Sequence, residues 1–448
     1  MAGMDVARLN FSHGTLEEHA ATIRNIRDVA GKLGRPVGVL QDLPGPKIRT
    51  GQLATPSVQL VAGAQIILTT DAVIGDNLRV PVTLPSLPED VHPGDTIFVD
   101  DGALRLQVER VEGHEVLCTV IVGGLLKPEK GINVPGVSLS TPSITETDWR
   151  FLRFGLYHGV DFVALSFIRR PEDVSEVRAR LVEWGAQAFL IGKIEKHEAL
   201  ENIDAIIERV DGIMVARGDL GVEIPIEKVP IAQKALVRKC NRVGKPVIVA
   251  TQMLESMIHA PLPTRAEVTD VANAIFDGAD AVMLSAETAI GEYPVETVQM
   301  MVRIARETEA ALPYSQMLAE FEAHAVSQTD DAIAYSACHA TRQLDAAAIV
   351  AFTTSGSTAR RVAKYRPQAP ILAITTDPKI ERRLALTWGV RSKVVSSCSL
   401  EEMFAIAPRA VREAGLACPG QLVVITAGFP SGSPGATNLL RVAKVEDQ

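Results

Sequence analysis

The chain has 448 residues, a net charge of −9, and 47% hydrophobic and 22% charged residues. The acidic surplus argues against a polyanion such as nucleic acid as partner, and no apolar run reaches the ~18 residues that a membrane span needs. Five scattered cysteines (Cys118, Cys240, Cys338, Cys398 and Cys418) show no C-x-x-C spacing; this argues against a disulfide frame or a structural zinc site and predicts a reducing, cytoplasmic setting.

A chain of this length suggests about three domains. The first predicted strand covers residues 6–11, where Arg8, Asn10 and Ser12 alternate with Leu9 and Phe11. One face is therefore polar and the other apolar, and Arg8 is suited to grip a phosphate with its planar fork. A second apolar run, 37–41, leads into QDLPGPKIRTG. Asp42, Lys47 and Arg49 crowd a loop stiffened by Pro and Gly, which reads as a hinge or phosphate site. From residue 51 to 131 the pattern is short strands and turns with no helical period, predicting an inserted all-β module.

Apolar runs then return at 162–167, 188–194, 212–216, 247–250 and 281–284. Amphipathic stretches such as 172–184, 198–210 and 231–243 lie between them. Strand–helix alternation with near-continuous apolar strands predicts a parallel sheet covered by helices. The fold class read from this is α/β: a (β/α)₈ TIM-type barrel over residues 1–50 and 132–310, carrying the inserted module. Seven barrel strands are visible where closure needs eight, so the reading expects a first strand before Val6 to be missing. A second βα series (AAIVAFTT, APILAITT, SKVVSS, QLVVIT) predicts a separate α/β domain over 325–448.

Chemistry-bearing residues collect at the strand ends. In LIGKIEKHEA, Lys193 and Glu195 share a face. A structural ion pair is the bland alternative. Against it, VARGDLG puts Asp219 at the next strand end, and Glu195 with Asp219 would offer two hard oxygens to Mg²⁺. Gly218 lets a ligand approach its backbone N–H. Thr251 closes VIVATQM, and Ser285 with Glu287 closes VMLSAET. For Thr251 or Ser285 alone, a helix-capping role fits equally. Late in the chain, TTSGSTARR (Thr353, Thr354, Ser355, Gly356, Ser357, Thr358) presents small residues at a helix start. Free backbone N–H groups there suit a phosphate; an ordinary cap is the alternative.

These motifs, with KGINVPG, ALSFIRRPEDV, PTRAEVTDVANA and DGADAVMLSAETAIGEYP, make the chain resemble the pyruvate kinase family over nearly its whole length. The resemblance implies phosphoryl transfer from phosphoenolpyruvate to ADP, a mobile lid (51–131) and a C-terminal effector domain. It implies that Glu195 and Asp219 hold Mg²⁺ or Mn²⁺ and that Lys193 neutralises the phosphoryl group. Arg8, Lys193, Gly218, Asp219 and Thr251 would bind substrate. Arg49 and Lys130 would meet the nucleotide, and Thr251 with Ser285 would serve proton relay. Asn10, Ser12, Asp42 and the Leu43 carbonyl match a potassium site. Potassium-dependent members carry Thr at the position of Leu43 and Glu at that of Lys47, so the ion is expected to be replaced by Lys47. Residues 353–358 would take a phosphorylated effector, expected to be a monophosphate. The resemblance also implies a homotetramer. Two rivals are a metal-dependent lyase on the same barrel and a non-catalytic metabolite sensor; neither needs the full set of Lys193, Glu195, Asp219, Arg49 and Lys130.

Overall fold

The computed structural model describes residues 2–322, 328–396, 399–429 and 437–446. Strands β1 (Val6–Asn10) and β2 (Gly38–Asp42) open the first sheet. The inserted module follows: β3 (Val58–Leu60), β4 (Gln65–Thr69), β5 (Arg79–Pro81), β6 (Thr96–Val99), β7 (Leu104–Glu112), β8 (Glu115–Val122), β9 (Gly124–Leu126) and β10 (Ile132–Asn133). The first sheet then resumes with β11 (Phe162–Leu165), β12 (Phe189–Ile194), β13 (Gly212–Ala216), β14 (Val247–Ala250) and β15 (Ala281–Val282). The C-terminal sheet holds β16 (Ala348–Phe352), β17 (Ile371–Thr375), β18 (Val390–Val394), β19 (Leu422–Gly428) and β20 (Thr437–Lys444).

The first sheet is parallel throughout, in the order β1-β2-β11-β12-β13-β14-β15. Its residues alternate between two cores, because successive side chains point to opposite faces. Leu40, Phe162, Ala164, Phe189, Ile191, Met214, Ile248 and Ala250 fill the inner face. Val39, Val163, Leu190, Ile213, Val215 and Val249 meet the helices outside. In β2, β11, β12, β13 and β14 both faces are buried, which is why these strands read as unbroken apolar runs, whereas β1 and β15 at the sheet ends are only partly buried. Helix starts are fixed by capping boxes, with Thr15, Thr145, Thr264 and Ser399 each bonding reciprocally to an acidic residue three positions on.

Three sequence expectations change. The stretch 198–210 is two helices, His197–Glu201 and Ile203–Arg209. Asn202 breaks it: its side-chain amide donates to the carbonyls of Glu198 and Arg169 instead of letting the first helix run on. The module has a six-stranded sheet, β10-β6-β7-β8-β4-β5, and reaches Asn133, two residues past the expected boundary. The C-terminal sheet, β18-β17-β16-β19-β20, gains an unanticipated antiparallel strand, β20, paired along β19.

The amino ends of the barrel strands carry a repeated clamp. Asp161, Asp211 and Asp280 immediately precede β11, β13 and β15. Their carboxylates accept the N–H of Val39, Leu190 and Val247 on the neighbouring strands. Each also binds a guanidinium: Arg27 at 2.7 Å, Arg178 at 2.6 Å and Arg366 at 2.8 Å. Arg366 comes from the C-terminal domain, as does Arg382, which donates to Asp161 at 2.8 Å. Leu386 from the same domain joins the inner core.

Candidate active site

The carboxyl ends of β1, β2, β11 and β12 converge on one charged cluster. Lys193 Nζ lies 2.7 Å from Glu195 Oε1 and 3.2 Å from Asp42 Oδ1. Arg8 grips the other Asp42 oxygen, with Nε at 2.7 Å and Nη2 at 2.6 Å. Register explains the meeting: Asn10 pairs with Asp42, and Asp42 with Ala164, so these residues ride side by side on adjacent strands. Asp219 follows β13 in the first turn of the helix Arg217–Glu223.

Burial alone would lower the Lys193 ammonium, but the carboxylates of Asp42, Glu195 and Asp219 outweigh it and hold its pKa above that of an ordinary lysine. Burial pushes the Glu195 carboxyl up, Lys193 pulls it back, and the Asp219 carboxylate adds to the rise. Three carboxylates thus face two cations. The residues fit a divalent cation: the donors are hard oxygens, and a dication relieves the repulsion between Glu195 and Asp219. Among the described residues no group of three or more His, Cys, Asp or Glu side chains converges to hold a metal.

Thr251 follows β14 with φ +72°, and Gln252 has φ +54°. Positive φ is a true outlier for a β-branched residue. It is held by Thr251 Oγ1, which accepts the N–H of Gly218 at 2.9 Å and donates to the Ala250 carbonyl at 2.6 Å. The Gly218 N–H, expected to face a ligand, is thus taken up by Thr251. Ser285 lies further round the rim. Its N–H donates to Glu287 at 2.7 Å, and Glu287 also accepts from Leu254 on the loop after Thr251.

Three residues were overlooked in the sequence. Arg217 donates to the Thr251 carbonyl at 2.6 Å and pairs with Asp270 at 2.7 Å, fixing the strained turn. Ser166 Oγ accepts from Lys193 at 2.8 Å, and the N–H of Phe167 donates to Glu195 Oε2 at 2.9 Å. All three sit in quoted motifs, VARGDLG and ALSFIRR. The available signal was their place at a strand end, the same rule that picked out Lys193.

In the expected potassium pocket, Asn10 Oδ1 accepts the Ser12 N–H, and the Leu43 carbonyl accepts from Ser166. The ion-pair partners of Asp42 are Arg8 and Lys193; Lys47 is not among them. Lys47 lies over Gly131 of the module, where a Cβ would come within 3.1 Å of its Cε.

Arg49 and Lys130 are brought together. Arg49 bridges to Gly131, and its guanidinium donates to the Glu129 carbonyl at 2.9 Å. Lys130 pairs with Asp100 at 2.8 Å. In the C-terminal domain, Gly356 takes φ +82° just before the helix Ser357–Lys364. Thr353 and Thr358 are buried, and the Thr358 hydroxyl is shared with Thr437 at 2.8 Å. Ser355, Ser357 and the exposed Thr354 remain at the loop surface.

Two family models match the chain: pyruvate kinase, barrel domain, over residues 1–298, and pyruvate kinase, alpha/beta domain, over residues 331–443. Among similar proteins, a pyruvate kinase of Geobacillus stearothermophilus is 50% identical, covering 100% of this chain and 77% of its own length. One of Clostridium acetobutylicum is 47% identical over 99% of this chain and 95% of its own. One of Staphylococcus aureus (strain MRSA252) is 46% identical over 100% and 77%.

Proposed function

The chain belongs to the pyruvate kinase family, and on that premise we propose a division of labour for the residues at its rim. The reaction is transfer of a phosphoryl group from phosphoenolpyruvate to ADP, giving pyruvate and ATP in glycolysis. Such a transfer needs positioning and charge neutralisation more than covalent help. The observation that carries the assignment is Lys193, 2.7 Å from Glu195 and 3.2 Å from Asp42 at the mouth of the sheet.

Lys193 stays protonated at any working pH and faces the moving phosphoryl group. Arg8, oriented by Asp42, holds the substrate phosphate. Glu195 and Asp219 hold the divalent cation, Mg²⁺ or Mn²⁺, which when bound supplies charge neutralisation to the phosphate oxygens. Gly218, Asp219 and Thr251 receive the carboxylate end of the substrate. Thr251 and Ser285 guide a proton to the enolate. Arg49 and Lys130, side by side where the module leaves the barrel, meet the nucleotide phosphates, and the module serves as a lid over them.

Potassium is not required on this reading. Asp42 is already neutralised by Arg8 and Lys193, and the Leu43 carbonyl is already used by Ser166. A phosphorylated effector, a monophosphate, docks at residues 353–358. The assembly is a homotetramer working in the cytoplasm; among the described residues no helix is long and apolar enough to cross a membrane.

A coupled assay with phosphoenolpyruvate, ADP and Mg²⁺ or Mn²⁺ tests the reading. Pyruvate should form only with ADP present. Rates should match within about twofold in potassium, sodium and tetramethylammonium salts, since a cation built into the protein replaces the added one. Activation by fructose 1,6-bisphosphate alone, with AMP and sugar monophosphates inert, would refute the effector assignment.

A further inference from the structure

Ser166 and Phe167 form the short turn that follows β11. Ser166 stands between two parts of the molecule. Its hydroxyl donates to the Leu43 carbonyl at 2.7 Å and accepts from the Lys193 ammonium at 2.8 Å. Leu43 begins the segment that carries the chain into the β module. Phe167 stands between the same two parts. Its N–H reaches Glu195 Oε2 at 2.9 Å because its backbone is held at φ +55°. That region is strained for a bulky residue. Gly45, on the same exit segment, packs so tightly here that a Cβ would fall 2.8 Å from the Phe167 ring and 3.1 Å from Ser166 Cβ. Phe167 also lines a cleft with Pro46, Ile48 and Ile132, which lie on the two segments that join module to barrel.

We propose that Ser166 and Phe167 are positioning residues for phosphoryl transfer, setting Lys193 and Glu195 in register with the segment on which the module swings. The proposal rests on reading Lys193 as the phosphoryl-neutralising cation and Glu195 as a metal-holding carboxylate. The Ser166 link is two hydrogen bonds through one hydroxyl, and the Phe167 link is one hydrogen bond plus packing against Gly45. Ser166 ties the ammonium to the exit segment, and Phe167 ties the carboxylate to it. Movement of residues 43–46 is therefore felt by both groups at once. The strain at Phe167 is maintained by the packing of its ring against Gly45, so the ring is what keeps the amide aimed at Glu195.

Four variants of the full chain test this. Ser166→Ala should lower kcat about 30-fold while KM for phosphoenolpyruvate changes less than about threefold; Ser166→Thr, which keeps the hydroxyl, should recover most of the loss. Phe167→Ala removes the ring while a positive φ stays costly, so the turn should relax away from Glu195 and weaken Mn²⁺ binding about tenfold, read without substrates from the electron paramagnetic resonance of free Mn²⁺. Phe167→Gly relaxes the strain while keeping the N–H, so it should bind Mn²⁺ more tightly than Phe167→Ala although it lacks the same ring. Equal Mn²⁺ affinity in the two Phe167 variants, or no rescue by Ser166→Thr, would overturn the proposal. Lys193→Met and Glu195→Gln serve as controls. If those two keep activity, the underlying assignment has failed. If they lose it while the Ser166 and Phe167 variants behave as the parent, this proposal alone has failed.

Discussion

The two ends of the seven-stranded sheet are both rich in charge, yet they are built on opposite terms. At the base, Asp161 and Asp280 engage both carboxylate oxygens, each with a neighbouring strand N–H and with arginines. At the rim, Asp42 Oδ1 is buried and has no hydrogen bond, although Lys193 lies 3.2 Å away. The rim also holds Phe167, Thr251 and Gln252 at positive φ, whereas at the base Arg366 does so. Carboxylates bonded on both oxygens lock the strands together there, although Arg366 Nε and Arg383 Nη2 at the base also lack a partner. Undersatisfied charge and stored backbone strain leave a place where a ligand can gain by binding. This matches the division expected of such barrels, with chemistry at the carboxyl ends and stability at the amino ends.

The contrast can be broken at either end. The largest effect should come from Lys193→Met: kcat should fall about 10³-fold, since a preorganised charge facing the transferring group is lost. Its thermal midpoint should fall by less than that of a base variant, and the reverse order would erase the distinction. Next in size is Asp280→Asn, which strips Arg366 of its buried partner. Unfolding in urea should show a loss of about 3 kcal/mol, with kcat at 25 °C within about twofold of the parent. Gln252→Gly should be smaller still. It relieves positive φ at an exposed side chain and should add about 1 kcal/mol of stability, with kcat reduced severalfold if strain at the rim is useful.

The smallest effect concerns pH. Glu267 caps the helix Arg265–Phe276; burial pushes its carboxyl up, but bonds from Ser256 and Thr264 prevail and hold it below the ordinary 4.5. Its folded pKa is therefore depressed. The stabilisation it contributes is present above 4.5 and lost as pH falls through the folded value. Glu267→Gln should be less stable than the parent at neutral pH, and the two melting curves should converge in acid.

Much of this was legible in the sequence. The barrel strands were: the five central ones because burial on both faces writes itself as unbroken apolar runs, and the first through its alternation of polar and apolar residues. Lys193 and Glu195 were, because side-chain alternation on one strand places them together. What stayed hidden depended on partners far along the chain. Ser166 matters through Leu43 and Lys193, and nothing local marks it apart from any Ser after a strand. One neighbour of Lys47 was hidden for a related reason: the residues beside it in sequence belong to the barrel, but it also lies against Gly131, brought back by the full length of the module. The β20 strand was missed because TNLLRVAK has no strict alternation, and β19 alone gives it order.

Leu386 lends the barrel something it does not make for itself. The interior, from Leu40 to Ile248, has its lower opening stoppered by a side chain grown on another domain. Severing that domain would wet an oily bore and strip Asp161 and Asp280 of one arginine each, so the two parts should melt as one body and a catalytic half expressed alone should clump.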